Sequence, residues 1–182
     1  MTTNATINLI RPARLDETPA LTTLIAASVR GLSEGFYSSA QAEAALVHVF
    51  GVDSQLVADG TYYVVECESQ LAACGGWSRR RTLYGGDQLK AGVDTLLNPL
   101  TEPARIRAFF VHPQFARRGI GRQLLAHCES AAIAAGFRRL EMMATLPGVP
   151  LYQACGYIPI EAVDVPMPDG FVLPCIRMGK DV

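Results

Sequence analysis

The sequence lacks several features that define large classes of proteins. No apolar run approaches the ~20 residues that a membrane-spanning helix needs, and the N-terminal stretch MTTNATINLIRPAR has no apolar core of signal-peptide length. The five cysteines form no CxxC pair, and the three histidines do not stand with them at the spacing of zinc ligands. We therefore expect a cytoplasmic protein with reduced, buried thiols, no bound metal and no membrane partner.

The sequence also has no excess of charge of one sign. Lysine and arginine number 16 and aspartate and glutamate 17, which gives a net charge of −1 and argues against nucleic acid as the partner. Charged residues make up 18% of the chain and hydrophobic residues 49%, a balance that argues against disorder and supplies one sizeable core. A length of 182 residues suits one domain, so we expect residues 1–182 to fold as a unit.

The apolar pattern predicts an α/β (α+β) domain built on a mixed sheet with helices on both faces. Asp16 is the expected N-cap of the first helix, with Pro19 in its first turn. Gly75 and Gly76 interrupt a strand and suggest a bulge or bend. The predicted strands are 6–11, 61–66, 71–80, 105–111, 138–144, 157–161 and 171–178, and the predicted helices are 20–32, 38–51, 119–135 and 148–155, with a long loop over 82–103.

The clearest chemical signal is the segment ARRGIGR at residues 116–122, where a predicted strand gives way to a predicted helix. The first turn of a helix leaves several backbone N–H groups unpaired at the positive end of the helix dipole. Gly119 and Gly121 have no Cβ atoms that would hold a phosphate away from these donors. Three arginines add positive charge beside the same place, and the expected ligand is therefore a pyrophosphate or another phosphate group. These arginines are Arg117, Arg118 and Arg122.

Other phosphate-binding motifs fit this segment less well. A dinucleotide fingerprint GxGxxG needs a third glycine where the sequence has Leu124, and no acidic residue ends the next strand at the expected distance. A Walker loop fails because no GK[ST] follows the glycines. From these seven residues alone, a helix that merely begins with glycines remains an alternative.

The longer stretch FFVHPQFARRGIGRQLL, followed by LYQACGY at residues 151–157, resembles the GNAT N-acetyltransferase superfamily. The resemblance covers residues 105–160 well, and the N-terminal half only in the order of its elements. It implies a mostly antiparallel mixed sheet flanked by helices, with one parallel β-α-β unit that binds acetyl-CoA. It also implies transfer of an acetyl group to a primary amine on a small molecule, a peptide or a protein, and it leaves a homodimer open.

The resemblance assigns roles to individual residues. The strand end whose backbone binds the pantetheine arm of acetyl-CoA corresponds to Phe109, Phe110 and Val111. The loop that binds the pyrophosphate corresponds to Arg117, Arg118, Gly119, Ile120, Gly121 and Arg122. Tyr152 matches the tyrosine beside the thioester sulfur, and Thr145 stands where many relatives place a cofactor-contacting asparagine. Ala116 departs from the family pattern, which has glutamine or arginine at the first loop position.

The implied reaction needs an acid and a base. The departing thiolate belongs to a thiol of pKa ~8.5, and a phenol of pKa ~10 within reach can protonate it. Tyr152 is therefore the expected general acid. No general base is evident, since the strand RIRAFFV holds no carboxylate. Glu102 and Glu141 lie nearby, His112 is better explained by the turn that ends the strand, and a chain of water molecules is a further option.

The acceptor site is expected between the loop that joins the first two helices and the last two strands. The candidates from the loop are Glu34, Phe36 and Tyr37, and those from the strands are Asp164 and Asp169. Carboxylates there would suit a cationic amine. The alternative function is a catalytically silent protein of the same fold that binds acyl-CoA as a sensor or scaffold, and the missing base keeps this alternative open.

Overall fold

The computed structural model describes residues 8–182, which form seven strands and five α-helices. The strands are β1 (Leu9–Pro12), β2 (Tyr62–Cys67), β3 (Gln70–Ser78), β4 (Ala104–Val111), β5 (Arg139–Thr145), β6 (Ile158–Pro166) and β7 (Val172–Asp181). The helices are α1 (Thr18–Leu32), α2 (Ser39–His48), α3 (Ser54–Ala58), α4 (Ile120–Ala134) and α5 (Val149–Ala154). All seven strands belong to one sheet, in the order β1-β2-β3-β4-β5-β7-β6.

One parallel strand pair lies in the middle of this sheet. β4 runs parallel to β5, in a register that pairs Ala104 with Leu140 and Arg105 with Glu141. α4 connects these two strands, and the other neighbouring strands of the described chain are antiparallel. The predicted α/β (α+β) fold, a mostly antiparallel sheet flanked by helices with one parallel β-α-β unit, is therefore confirmed.

Helix α4 follows directly from its sequence. Its buried side chains recur every three or four positions, which places them on the face that packs against the sheet. They are Ile120, Leu124, Leu125, Cys128 and Ala132. The helix ends just before Gly136, whose φ of 94° lies in the left-handed region that favours glycine. Both ends of α4 lie within one residue of the predicted 119–135.

The start of the first helix differs from the prediction. Leu15–Glu17 form a 3-10 turn, and α1 follows with Glu17 as its N-cap, so the prediction of Asp16 as the N-cap is wrong. Arg11 explains the difference, because its guanidinium binds Glu17 Oε1 at 2.6 Å and holds this turn against β1. Pro19 lies in the first turn of α1, as predicted.

Three further differences from the prediction concern a short helix, the length of one strand and a turn within the long loop. The apolar pattern does not predict α3, whose N-cap Asp53 accepts hydrogen bonds from two backbone N–H groups of its first turn. β6 extends beyond the predicted 157–161, and the predicted long loop contains one 3-10 turn, Asp87–Leu89. Residues 6 and 7 of the predicted first strand lie outside the described residues.

The cysteines are free thiols, of which Cys155 is half-buried and the other four are buried. Burial of this kind matches the expectation of apolar thiols that take no part in disulfides. Within residues 8–182, no helix combines the length and the apolar character needed to cross a bilayer.

Candidate active site

β4 is bulged where it passes the glycines of β3. Ala108 and Phe109 lie opposite the single residue Gly75. Ala108 has a φ of 53°, a strained value for a residue with a Cβ atom, and its carbonyl accepts a hydrogen bond from the Tyr62 hydroxyl at 3.0 Å. A Cβ atom on Gly75 would lie 2.6 Å from the Phe109 ring, so only glycine fits under the bulge. The irregularity predicted at the glycines is present, and its extra residue belongs to β4.

A cleft opens between β4 and β5 next to this bulge. The register between the two strands ends at Arg105 and Glu141, so the following residues of β4 leave one edge without a neighbouring strand. Several residues predicted for the site line the cleft. They are Phe109, Phe110, Thr145 and Tyr152. An extended ligand can therefore lie along the open edge of β4 and still reach the phenol of α5.

The glycine loop lies beside the same cleft. A Cβ atom on Gly121 would lie 3.0 Å from Leu151 of α5 and 3.5 Å from Val111 of β4. The loop and the end of β4 therefore both lie against α5, the helix that carries the predicted acid Tyr152. The sequence resemblance groups these residues by family pattern, and the fold places them together in space.

The backbone of this loop exposes hydrogen-bond donors. Gly119 is the N-cap of α4 with a φ of 80°, and a Cβ atom there would have no heavy atom within 4 Å. Among residues 8–182, no acceptor binds the N–H groups of Ile120, Gly121 and Arg122. These N–H groups lie at the positive end of the helix dipole. The loop therefore fits an anionic group such as a diphosphate.

The three arginines of the loop differ in their surroundings. Arg118 forms an ion pair with Glu68 at 2.9 Å and stacks over Phe115 at 5.2 Å. The hydrogen bond that Arg118 donates to Glu68 raises the pKa of Arg118 above its ordinary value. Arg117 and Arg122 are exposed and form no ion pair within the described part of the chain. Arg117 and Arg122 are therefore available to bind an anion, whereas the charge of Arg118 is already neutralised by Glu68.

Tyr152 is held rigidly on α5. Its ring packs edge-on against Tyr157 with centroids 6.2 Å apart, and a Cβ atom on Gly148 would lie 2.8 Å from the ring. No group among residues 8–182 forms a hydrogen bond with its hydroxyl, which is therefore available to a ligand in the cleft. Burial raises the pKa of Tyr152 above its ordinary value, so the phenol stays protonated at neutral pH and acts as a donor.

The structure does not bring the predicted acceptor residues into the cleft. The Tyr37 hydroxyl is buried, donates to the Pro174 carbonyl at 2.7 Å and accepts from the Leu146 N–H at 2.9 Å. This tyrosine therefore joins the loop after α1 to β7. Glu34 and Phe36 are exposed and lie outside the lining of the cleft.

The two predicted aspartates of the last strands also lie outside the cleft lining. Asp164 is exposed on β6. Asp169 Oδ2 lies 3.2 Å from His48 Nε2. Neither carboxylate therefore lines the cleft, and their role toward an acceptor amine stays a prediction.

The candidate bases are held elsewhere. Glu102 pairs with Arg81, and Glu141 pairs with Arg105, each at 2.6 Å. His112 caps a short 3-10 turn, where its Nδ1 accepts from a backbone N–H, as the turn interpretation predicts. Among the described residues, no carboxylate or imidazole lines the cleft, and no group of three or more potential ligands is arranged to hold a metal.

A buried ion cluster behind the cleft was missed by sequence reasoning. Arg107 of β4 is 2% exposed and donates to Asp53 Oδ2 at 2.8 Å, to the Thr82 carbonyl at 2.8 Å and to the Gly85 carbonyl at 2.7 Å. Lys90 also pairs with Asp53. Burial lowers the pKa of Arg107 below its ordinary value, although the carboxylate of Asp53 opposes this effect. An arginine in the middle of an apolar strand was the one signal of this cluster in the sequence.

Replacing Arg107 by methionine is expected to destabilise the fold by about 3 kcal/mol, because it leaves Asp53 buried with Lys90 as its one remaining cation. The measurement is the free energy of unfolding from urea titration. Arg81→Met is the control, since the Arg81–Glu102 pair is largely exposed and contributes about 0–1 kcal/mol. An equal decrease in the free energy of unfolding in the two variants would contradict a structural role for the buried cluster.

Comparison with protein-family models gives one match. The model described as an acetyltransferase (GNAT) domain matches residues 58–159, which is more than half of the 182-residue chain. The matched region includes β2 through α5 and therefore the bulge, the glycine loop and Tyr152. A comparison of the sequence with curated proteins finds no match.

Solved structures share the fold over almost the whole chain. A GCN5-related N-acetyltransferase from Rhodopseudomonas palustris is 19% identical, with a TM-score of 0.72 and coverage of 100% of this chain and 99% of that chain. PaiA N-acetyltransferase from Thermoplasma acidophilum, solved in complex with coenzyme A, is 12% identical, with a TM-score of 0.66 and coverage of 97% and 99%. The ribosomal-protein-S18-alanine N-acetyltransferase from Escherichia coli is 16% identical, with a TM-score of 0.59 and coverage of 97% and 94%.

Proposed function

The chain belongs to the GNAT acetyltransferase family, and on that premise we propose that it transfers an acetyl group from acetyl-CoA to a primary amine. The observation that carries the proposal is a set of three features in and beside the cleft. These are the bare N–H groups at the start of α4, the open edge of β4 and the unbonded hydroxyl of Tyr152. Each of the three features can bind one part of a ligand with a diphosphate, an extended arm and a reactive thioester.

Different residues of the chain bind different parts of acetyl-CoA. The N–H groups of Ile120, Gly121 and Arg122 hold the diphosphate, with added charge from Arg117. The backbone of Phe109, Phe110 and Val111 binds the pantetheine arm along the open edge of β4, and Thr145 contacts the ligand from β5. When bound, acetyl-CoA supplies a thioester carbonyl that is open to attack by an amine.

In the proposed reaction the neutral amine attacks the carbonyl carbon, a C–N bond forms, and the C–S bond breaks. Tyr152 donates a hydrogen bond to the sulfur as negative charge develops there, and then acts as the general acid toward the thiolate. The raised pKa keeps the phenol of Tyr152 protonated before the reaction, and the phenolate left by proton transfer to the sulfur takes up a proton from solvent. Since no carboxylate or imidazole of the described chain lines the cleft, the proton lost by the amine passes to solvent.

The same missing base supports one alternative function. A protein that binds acetyl-CoA without turnover needs the glycine loop and the open strand edge, but it needs no group to accept a proton. This alternative, a sensor or scaffold, retains every binding contact proposed above and removes the chemical role of Tyr152.

Two measurements test the proposal in order. Acetyl-CoA at 100 times its Kd is expected to stabilise the protein by about 2.7 kcal/mol, whereas ATP and NAD at the same concentration give no shift in Tm. Release of free CoA thiol is then expected to depend on an added amine. Failure of acetyl-CoA to raise the Tm would contradict the binding site, and tight binding with no turnover on any amine would favour the sensor.

A further inference from the structure

The acceptor half of the cleft has an apolar wall. Its side chains come from the end of α2, the long loop after β3, and strands β4, β5, β6 and β7. They are Phe50, Tyr84, Phe110, Met143, Val165 and Leu173. Among the described residues of this wall there is no aspartate, glutamate or histidine, so it offers no anionic group to a positively charged substrate.

The charges beside this wall belong to a buried cluster of both signs, in which Asp94 also acts on Arg107. Arg107 is the charged residue in the lining, and it pairs with Asp53, which is also bound by Lys90. Two cations therefore share one carboxylate. The Nε of Arg107 is buried and has no partner among the described residues. An ammonium group entering here would lose its water and would find no carboxylate in the lining to bind it.

Two titratable side chains of the cleft lining are buried thiol and phenol groups, Cys175 and Tyr152. Burial raises the pKa of Cys175 to about 11 and that of Tyr152 above its ordinary value, so both stay protonated. His48 and Asp169 bind each other outside the lining. No side chain of the described wall is therefore placed to deprotonate a bound ammonium.

We propose that the acceptor is a weakly basic primary amine on an apolar or aromatic body, which enters the cleft in its uncharged form. The proposal rests on the acetyltransferase function proposed above and names the substrate class of that site. A lysine-like amine of pKa ~10.4 is neutral in about 1 of 2500 molecules at pH 7, whereas an amine of pKa ~8 is neutral in about 1 of 10. A cleft whose lining has no base and no carboxylate therefore favours the less basic amine.

The test compares three amines as substrates of the full chain. Phenethylamine and its β,β-difluoro derivative have nearly the same shape, but the fluorines withdraw electrons and lower the pKa of the amine. Spermidine has strongly basic amines and no apolar body. At pH 7 the difluoro amine is expected to have at least about a tenfold higher kcat/KM than phenethylamine, because each unit of pKa lowering raises the neutral fraction about tenfold. The difference in kcat/KM between the two aromatic amines is expected to decrease as the pH rises.

A matched pair of variants tests the role of the wall. Met143 lines the cleft and is half-buried, so Met143→Glu adds a carboxylate there, and Met143→Gln adds the same shape without the charge. The glutamate variant is expected to reduce the preference for the difluoro amine at least about fivefold, because the carboxylate can bind and deprotonate an ammonium. The glutamine variant is expected to keep the preference.

The outcomes separate this proposal from the function on which it rests. Acetylation of spermidine above both aromatic amines, or equal kcat/KM for the two aromatic amines at pH 7, would overturn the substrate class and leave the acetyltransferase function standing. Binding of acetyl-CoA without acetylation of any amine would overturn the function itself. An equal loss of preference in both Met143 variants would show that shape, and not charge, sets the selectivity of the wall.

Discussion

Tyr152→Phe is expected to lower kcat by about 10²-fold while the Kd for acetyl-CoA changes little, because the substitution removes one proton donor from the reacting sulfur. The ring remains, so its packing against Tyr157 and Gly148 is preserved. The loss should be largest with acyl donors whose thiols are poor leaving groups, since these depend most on protonation. The measurement is steady-state release of CoA, together with direct titration of acetyl-CoA.

Tyr157→Phe provides the matched control for this experiment. Tyr157 is 2% exposed, packs against Tyr152 and stands outside the lining of the cleft. Both variants lose a single hydroxyl from neighbouring buried rings, so a difference in kcat between them reports chemistry and not packing. A rate in Tyr152→Phe equal to that of Tyr157→Phe would reduce Tyr152 to a packing residue.

Gly121→Glu is expected to raise the Kd for CoA by about 10²-fold, which corresponds to about 2.7 kcal/mol. The new side chain would start 3.0 Å from Leu151, at the place where the loop meets the cleft. Its carboxylate would compete with the diphosphate for the N–H groups of Ile120 and Arg122. A glutamate in the first turn of a helix interacts favourably with the helix dipole, so we expect α4 to remain folded.

Two comparisons isolate the charge effect in this variant. Gly121→Ala needs Leu151 to move by a few tenths of an ångström, and it adds no charge, so its effect on CoA binding is expected to be much smaller. Acetyl-pantetheine, which has no diphosphate, is expected to bind the glutamate variant and the original protein alike. An equal loss of affinity for CoA and for acetyl-pantetheine would place the diphosphate elsewhere.

Much of the proposed cofactor site could be predicted from the sequence because its determinants are local. Gly119 and Gly121 stand at the junction of a strand and a helix, and the helix pattern of α4 fixes which N–H groups point outward. The glycines of β3 indicated an irregularity, which the structure places opposite Ala108. Residues within a few positions of each other decide these features, and short-range patterns are therefore sufficient.

The acceptor side could not be predicted in the same way, because contacts between distant residues determine it. Tyr37 was a candidate for substrate binding, yet its hydroxyl bonds to Pro174, which is 137 residues away. Arg107 and Asp53 are 54 residues apart, and nothing in either segment indicates the other. Arg118 and Glu68 are 50 residues apart, so the sequence did not indicate that the charge of Arg118 is neutralised by Glu68. Such pairs emerge only once the sheet is assembled.

The hydrogen bonds of Arg107 to the Thr82 and Gly85 carbonyls have a consequence for protein engineering. They fix the main chain of the segment that carries Tyr84 into the cleft. A redesign of acceptor preference can therefore exchange the side chains at Leu83 and Tyr84 on a stable scaffold. Insertions or deletions between the two anchored carbonyls would instead disturb selectivity and folding at the same time.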